Sequence, residues 1–290
     1  MKVTYDAAAK INLMLDILAA LENGYHSLFM LMQSVGLYDT VSVEDTGEGG
    51  IELFCSDVRL PRDRRNIAWK AAEAFFDAAR AESRGVAIHI EKRCPFAAGL
   101  AGGSADAAAV IAALNDITGA GLSERELCDI GLKVGADVPF CLTGGTRLAQ
   151  NMGDILSELP PLGDCFIVLA KPDRSISTAE AFGAFDAARS IRHTDTCGML
   201  YVAANGDFYG ICRRAKNVFE QIIEVPERVP IKGVLNRCGA LTACMSGSGP
   251  TVFGIFDDGE KASSAAEALR VTVRDVYLTK PVRRGLVRKS

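Results

Sequence analysis

The alternating run VAIHIEK (86–92) leads into CPFAAGLAGGSADAAAV (94–110), and this junction restricts the fold more than any other feature of the chain. A strand that passes through a glycine-rich turn into a helix start builds an anion site from backbone alone. The first helical N–H groups lack partners, and the macrodipole adds about half a positive charge there. Glycine lets the main chain approach a ligand and take positive φ. The stretch contains no lysine or arginine, so any phosphate held here would be met by N–H groups. Two familiar phosphate loops are excluded by spacing: no Gly-Lys-Ser or Gly-Lys-Thr follows, and Gly99-Leu-Ala-Gly-Gly breaks the G-x-G-x-x-G pattern. A plainer reading is that small residues let a helix pack tightly. Ser104 is the expected N-cap of the helix, with Asp106 in its first turn.

The surrounding pattern predicts an α+β chain of two lobes without internal repeats. Strands are expected at VSVED (41–45) and IELFCS (51–56), joined as a hairpin by TGEGG. A helical period runs from Asn66 to about Glu82, and Ser123 to Glu126 forms a capping box for a helix ending near Gly135. Pro160-Pro161 marks the expected boundary between residues 1–160 and 161–290. Beyond it the pattern gives a strand CFIVLAKP, helices near 178–188 and 207–223, strands TACMS and TVFGIF, a helix at 260–270 and a strand near 276–282. The end, RRGLVRKS, reads as a solvated tail.

A formal net charge of -4 argues against a general nucleic-acid or acidic-membrane binder. The nine cysteines include no C-x-x-C pair, which suits buried reduced thiols and, with three scattered histidines, gives no zinc pattern. No long uninterrupted apolar run occurs, so a soluble cytoplasmic protein is expected, with no membrane partner.

Three separated segments resemble the signatures of the GHMP kinases. These are Ala7-Ala-Ala-Lys10-Ile-Asn-Leu13, Pro95-Phe-Ala-Ala-Gly-Leu-Ala-Gly-Gly-Ser104 and Cys244-Met-Ser-Gly-Ser-Gly-Pro-Thr-Val-Phe-Gly254. Four further stretches resemble the branch of that family whose substrate is a cytidine diphosphate alcohol of the non-mevalonate isoprenoid pathway. They are Gly102-Gly103-Ser104, Asn23-Gly-Tyr-His26, Val134-Gly-Ala-Asp137-Val-Pro-Phe140 and Met152-Gly-Asp-Ile-Leu156. Ala101 and Ala105 depart from the glycine and serine usual at their positions, and Asn151 stands where a small or acidic residue is common.

The resemblance implies an N-terminal ATP-binding lobe, a C-terminal α/β sandwich lobe and transfer of the γ-phosphoryl group of ATP, with Mg2+, to the substrate's 2-hydroxyl. An alcohol is a poor nucleophile, so a carboxylate placed to take its proton is useful. Asp137 is the candidate base, against the plain alternative of a turn aspartate. Lys10, set among apolar residues, is the candidate charge stabiliser. Pro95, Gly99, Leu100, Ala101, Gly102, Gly103 and Ser104 would surround the ATP phosphates, with Asp106 supporting the helix start. Asn12 would bind the substrate near its reacting end, Tyr25 would stack on cytosine and His26 would read its edge. Phe182, with Phe185 as alternative, would give a second aromatic face, and Ser246, Gly247, Ser248 and Gly249 would close over the diphosphate. No protein ligand of the metal is assigned. A monomer or homodimer is expected. A mevalonate- or homoserine-type kinase, a nucleotide-binding sensor without catalysis and a structural packing protein are the competing readings. The G-Y-H element separates the first of these, since its substrates carry no base to stack.

Overall fold

The chain opens with a long antiparallel hairpin, β1 (Lys2–Ala20) against β2 (His26–Asp45), whose register shifts near Ala8, Asn12 and Ile17. The structure is a computed structural model that describes residues 1–289 except 23, 25, 48 and 80–84. β3 (Ile51–Cys55), α1 (Ile67–Ala79) and β4 (Val86–Glu91) follow. β4 inserts between β2 and β3, antiparallel to the first and parallel to the second, so the expected hairpin of 41–45 with 51–56 does not form. Both segments alternate and a turn-rich stretch joins them, but alternation does not name a strand's partner.

Next come α2 (Gly102–Thr118), α3 (Glu124–Val134) and α4 (Val138–Thr143). The Ser123–Glu126 capping box starts α3 as expected. α2 is buried nearly all round, its alanines letting it sit close to α1 and to the long hairpin. The tight-packing reading of this alanine run therefore holds for the body of the helix. β5 (Thr146–Asn151) and β6 (Ile155–Glu158) form a hairpin that joins the first sheet through the N-terminal half of β2.

The chain then builds a second antiparallel sheet, in the order β11-β7-β10-β9, from β7 (Phe166–Lys171), β9 (Thr242–Met245), β10 (Val252–Phe256) and β11 (Asp275–Thr279). Between β7 and β9 lie α5 (Thr178–Ala187), α6 (Thr196–Ala204), α7 (Phe208–Arg214), the short β8 (Lys216–Asn217), a 3-10 turn (Val218–Gln221) and α8 (Arg228–Arg237). The continuous helix expected over 207–223 is broken because Lys216 and Asn217 leave α7 to pair in parallel with Met14 and Leu15 of β1. α9 (Gly259–Arg270) precedes β11, and β12 (Leu286–Arg288) returns to pair with Tyr5, Asp6 and Ala7 of β1. The basic C-terminal end is therefore partly an edge strand, with Arg288 and Lys289 facing Asp116 and Asp6.

One face of the β1–β2 hairpin packs on α1 to α4. The other, through Ile11, Leu13, Phe29 and Leu31, meets Ile167, Leu169, Phe253 and Ile255 of the second sheet. α8 and α9 cover that sheet's far side. Alternation along β1 thus sends Ile11 and Leu13 into an apolar core and turns Lys10 and Asn12 toward the helices, where the cleft opens. Six cysteines (55, 94, 141, 165, 212 and 244) are buried, and all nine are free thiols; Cys197 is exposed. Among the described residues no helix is long and apolar enough to cross a membrane.

Candidate active site

The edge of β1 between its contacts with β12 and β8 is used almost residue by residue. Ala8 N–H donates to Gly285 O at 2.8 Å, Lys10 N–H to Leu100 O at 3.0 Å and Asn12 N–H to Ser246 Oγ at 3.3 Å. This edge brings the three signature segments together, since both glycine loops dock on it. The loops also meet each other: Ser246 Oγ donates to Gly99 O at 2.9 Å and Thr251 N–H to Ala98 O at 3.4 Å. Gly99 has φ 73, and a Cβ there would lie 2.2 Å from Ser246 O. Asn217 holds the second loop from below, its Nδ2 donating to both Met245 O and Gly247 O at 2.8 Å.

A cleft of about 580 Å3 lies along this seam. Its walls include residues 95–104, Asp106, Lys10, Asp137, Phe182, Gly247 and Ser248. The whole expected phosphate-loop set therefore faces one space, together with Lys10, Asp137 and Phe182. Asn12, His26, Ser246 and Gly249 do not line it; Asn12 and Ser246 are fully buried behind it. Tyr25 lies outside the described residues.

The loop's details differ from the expected ones. α2 begins at Gly102, and its N-cap is Ala101, with φ 56 and no side-chain cap. Ser104 is thus the third residue of the helix rather than its cap, and Asp106 lies past the first turn. Ala101 has no side chain that can cap and the two glycines after it add none, so the helix start is bare backbone facing the cleft. Ala101 takes the left-handed conformation that favours glycine, so its departure from the family pattern carries backbone strain of about 1–2 kcal/mol.

Lys10 Nζ is almost fully buried, donates to Asn12 Oδ1 at 2.6 Å and stands 3.6 Å from Asp137 Oδ2. Asp137 caps α4 by position, yet its side chain makes no capping hydrogen bond and remains free to face the cleft. Asn12 Nδ2 is buried without a partner. At the far end, His26 stacks on Phe182 with ring centroids 4.9 Å apart and meets Phe185 edge-on at 5.8 Å. Its Nε2 is 2.7 Å from Asp186 Oδ1. Of the two candidate phenylalanines, Phe182 is the one that lines the cleft.

Sequence reasoning missed the cation of the loop. Lys92, at the end of the strand that feeds it, is buried under the turn and bonds Asp39 Oδ2 and, at 2.6 Å, Asp106 Oδ2. Asp39 Oδ1 accepts the backbone N–H groups of Arg93 (2.6 Å) and Cys94 (2.8 Å), fixing the first residues of the loop. Burial would lower the Lys92 ammonium, but Asp106 and Asp39 outweigh it and hold it raised. A basic residue closing an otherwise alternating strand was the available signal.

Comparison with known proteins separates fold from activity. Residues 66–145 match the GHMP kinases N terminal domain and residues 203–274 the GHMP kinases C terminal domain. A 4-diphosphocytidyl-2-C-methyl-D-erythritol kinase of Clostridium botulinum is 42% identical over 278 residues, covering 95% of this chain and 99% of that protein. One of Clostridium tetani is 39% identical over 279 residues, with coverage of 95% and 99%. Among solved structures, a 4-(cytidine 5'-diphospho)-2C-methyl-D-erythritol kinase superposes with TM-score 0.78 at 31% identity, covering 96% of this chain and 98% of that one. A homoserine kinase from Cytophaga hutchinsonii superposes equally well, with TM-score 0.80 at 20% identity and coverage of 99% and 97%, so shape alone shows the fold and no more. Sequence identity over nearly the full length distinguishes them: the chain belongs to the GHMP kinases, in the group of the 4-diphosphocytidyl-2-C-methyl-D-erythritol kinases.

Proposed function

We propose that this enzyme phosphorylates the 2-hydroxyl of 4-diphosphocytidyl-2-C-methyl-D-erythritol with ATP, with Asp137 as base and Lys10 as charge stabiliser. The reading rests on one observation above all: Lys10 Nζ and Asp137 Oδ2 stand 3.6 Å apart on the wall of the cleft that also holds the bare start of α2. Asp137 accepts the hydroxyl proton as the oxygen attacks the γ-phosphorus. Lys10 offsets the negative charge that develops on the attacking oxygen and the transferring group. Asn12, buried behind the cleft wall, fixes Lys10 through Oδ1 and acts on the substrate's reacting end through that lysine.

The backbone of residues 99–104 receives the ATP phosphates, with Pro95 at the loop's start. Phosphoryl transfer asks the protein mainly for positioning and charge stabilisation. Gly247 and Ser248 close over the substrate diphosphate, while Ser246 and Gly249 hold their loop in shape. Phe182 gives the cytosine an aromatic face, with Tyr25 as the second face and His26 reading the ring edge. Magnesium, when bound with the nucleotide, neutralises phosphate charge. Such a cation would be held chiefly by phosphate oxygens and water. We place the lobe boundary near Pro160-Pro161, where the chain leaves the first sheet for the second. We also retain a cytoplasmic monomer or homodimer, with no nucleic-acid partner.

The test is ATP consumption by the purified protein with the diphosphocytidyl alcohol, mevalonate and homoserine in parallel. Turnover with the first alone is expected. Turnover confined to either of the others, or none at all, overturns the reading.

A further inference from the structure

The three charges beneath the phosphate loop do not balance if all are ionised. Asp39 and Asp106 carry two negative charges against one on Lys92, and all three side chains are at most 7% exposed. Asp106 Oδ1 is buried and has no donor. An unpaired negative charge in such a place is expensive, and here it would also sit under a site meant for phosphate. The cluster ties together β2 through Asp39, the loop's first residues through their N–H groups, and α2 through Asp106. Gly102 allows this closeness, since a Cβ there would lie 2.9 Å from Cys94 Sγ and 3.3 Å from Lys92 Nζ.

We propose that Lys92, Asp39 and Asp106 form a positioning clamp for the phosphate loop, kept electrically neutral by one proton shared between the two carboxyl groups. The proposal rests on the reading of this loop as the ATP site. Asp106 is pushed up to about 8, first by burial and then by Asp39, against the opposing pull of Lys92. The other ionisable groups around it are Cys94 beside Lys92, Cys55 of β3 and Cys141 of α4. Burial pushes all three thiols up from the ordinary cysteine range, away from the charged form. As pH rises through about 8 the clamp loses its proton and becomes negative, and ATP should bind less well. A buried unit charge about 10 Å from a phosphate, at an effective dielectric constant near 20, changes affinity by roughly tenfold.

Calorimetric titration with ATP and magnesium chloride, without the alcohol, tests this in buffers of different ionisation enthalpy. The wild type should lose roughly tenfold in affinity from about pH 7 to about pH 9.5 and take up a proton on binding near pH 8.5. Asp106→Asn keeps the shape and an acceptor for Lys92 but carries no proton to exchange, so its affinity should stay flat and its proton uptake vanish. ATP's own last ionisation is nearly complete below this range and affects both proteins alike. Parallel profiles, or no proton uptake by the wild type, overturn the proposal; the second outcome needs no variant to fold. Binding by neither protein at any pH overturns the ATP-site reading and the clamp with it.

Discussion

Replacing Gly99 with alanine should separate the two glycine loops. The added Cβ falls 2.2 Å from Ser246 O, about 1.2 Å short of an ordinary contact, and 3.0 Å from Gly249 O. Both obstacles are backbone, so no side chain can swing aside. The left-handed conformation costs alanine about 1–2 kcal/mol, and forced overpacking costs about 1–3 kcal/mol. If the loops part, the bonds from Ser246 Oγ to Gly99 O and from Thr251 N–H to Ala98 O are lost, at about 1 kcal/mol each. Together these give roughly 4–7 kcal/mol, or a fall in Tm of roughly 8–14 °C at about 2 °C per kcal/mol for a chain of this size. Gly119→Ala is the control: it has φ 63 with nothing within 4 Å of the added atom, so it pays the conformational cost alone. Scanning calorimetry with and without ATP, beside KM for ATP, reads both effects. Equal melting temperatures and equal KM values for the two variants would refute the seam between the loops.

Three other changes follow from the same geometry. Ala101→Gly should relieve the left-handed strain at the start of α2 and, after the entropy cost of glycine, raise stability by roughly 0.5–1 kcal/mol, seen as a higher Tm. Phe182→Ala should raise KM for the cytidine substrate about tenfold or more, the size of a lost base stack, with a smaller change in kcat in the ATP-consumption assay. Asn217→Ala should leave Met245 O and Gly247 O without their donor and cost roughly 2–4 kcal/mol, measured by denaturant unfolding.

Much of the candidate site was legible because its residues lie in short segments of the chain. The glycines of 99–103, Lys10 beside Asn12 and Asp137 before Pro139 each sit in a short segment, and all but Asn12 reach the cleft wall. What failed were relations between distant segments. Two alternating runs around TGEGG looked like a hairpin, and nothing local announces that β4 will come between them. The 207–223 stretch has helical composition, but Asn217 is claimed by backbone carbonyls nearly thirty residues on. The basic end became an edge strand by pairing with Tyr5, Asp6 and Ala7 near the other end of the sequence, with Asp6 and Asp116 as its acidic partners. Lys92 escaped notice for the same reason: its partners, Asp39 and Asp106, are far from it in sequence. The start of α2 was misplaced through a local rule, since Ser104 resembles a cap but the glycines before it are already helical.

In the proposed reaction Asp137 takes the alcohol's proton beside Lys10. Asp137→Ala removes no capping bond but takes the counter-charge from buried Lys10, which keeps its bond to Asn12. Melting temperature and ATP affinity are therefore measured beside turnover, to establish a folded, ATP-binding variant. With the diphosphocytidyl alcohol at saturation, its kcat should fall by at least about a hundredfold, the usual cost of losing a general base. A folded Asp137→Ala protein that turns over near the wild-type rate would contradict it.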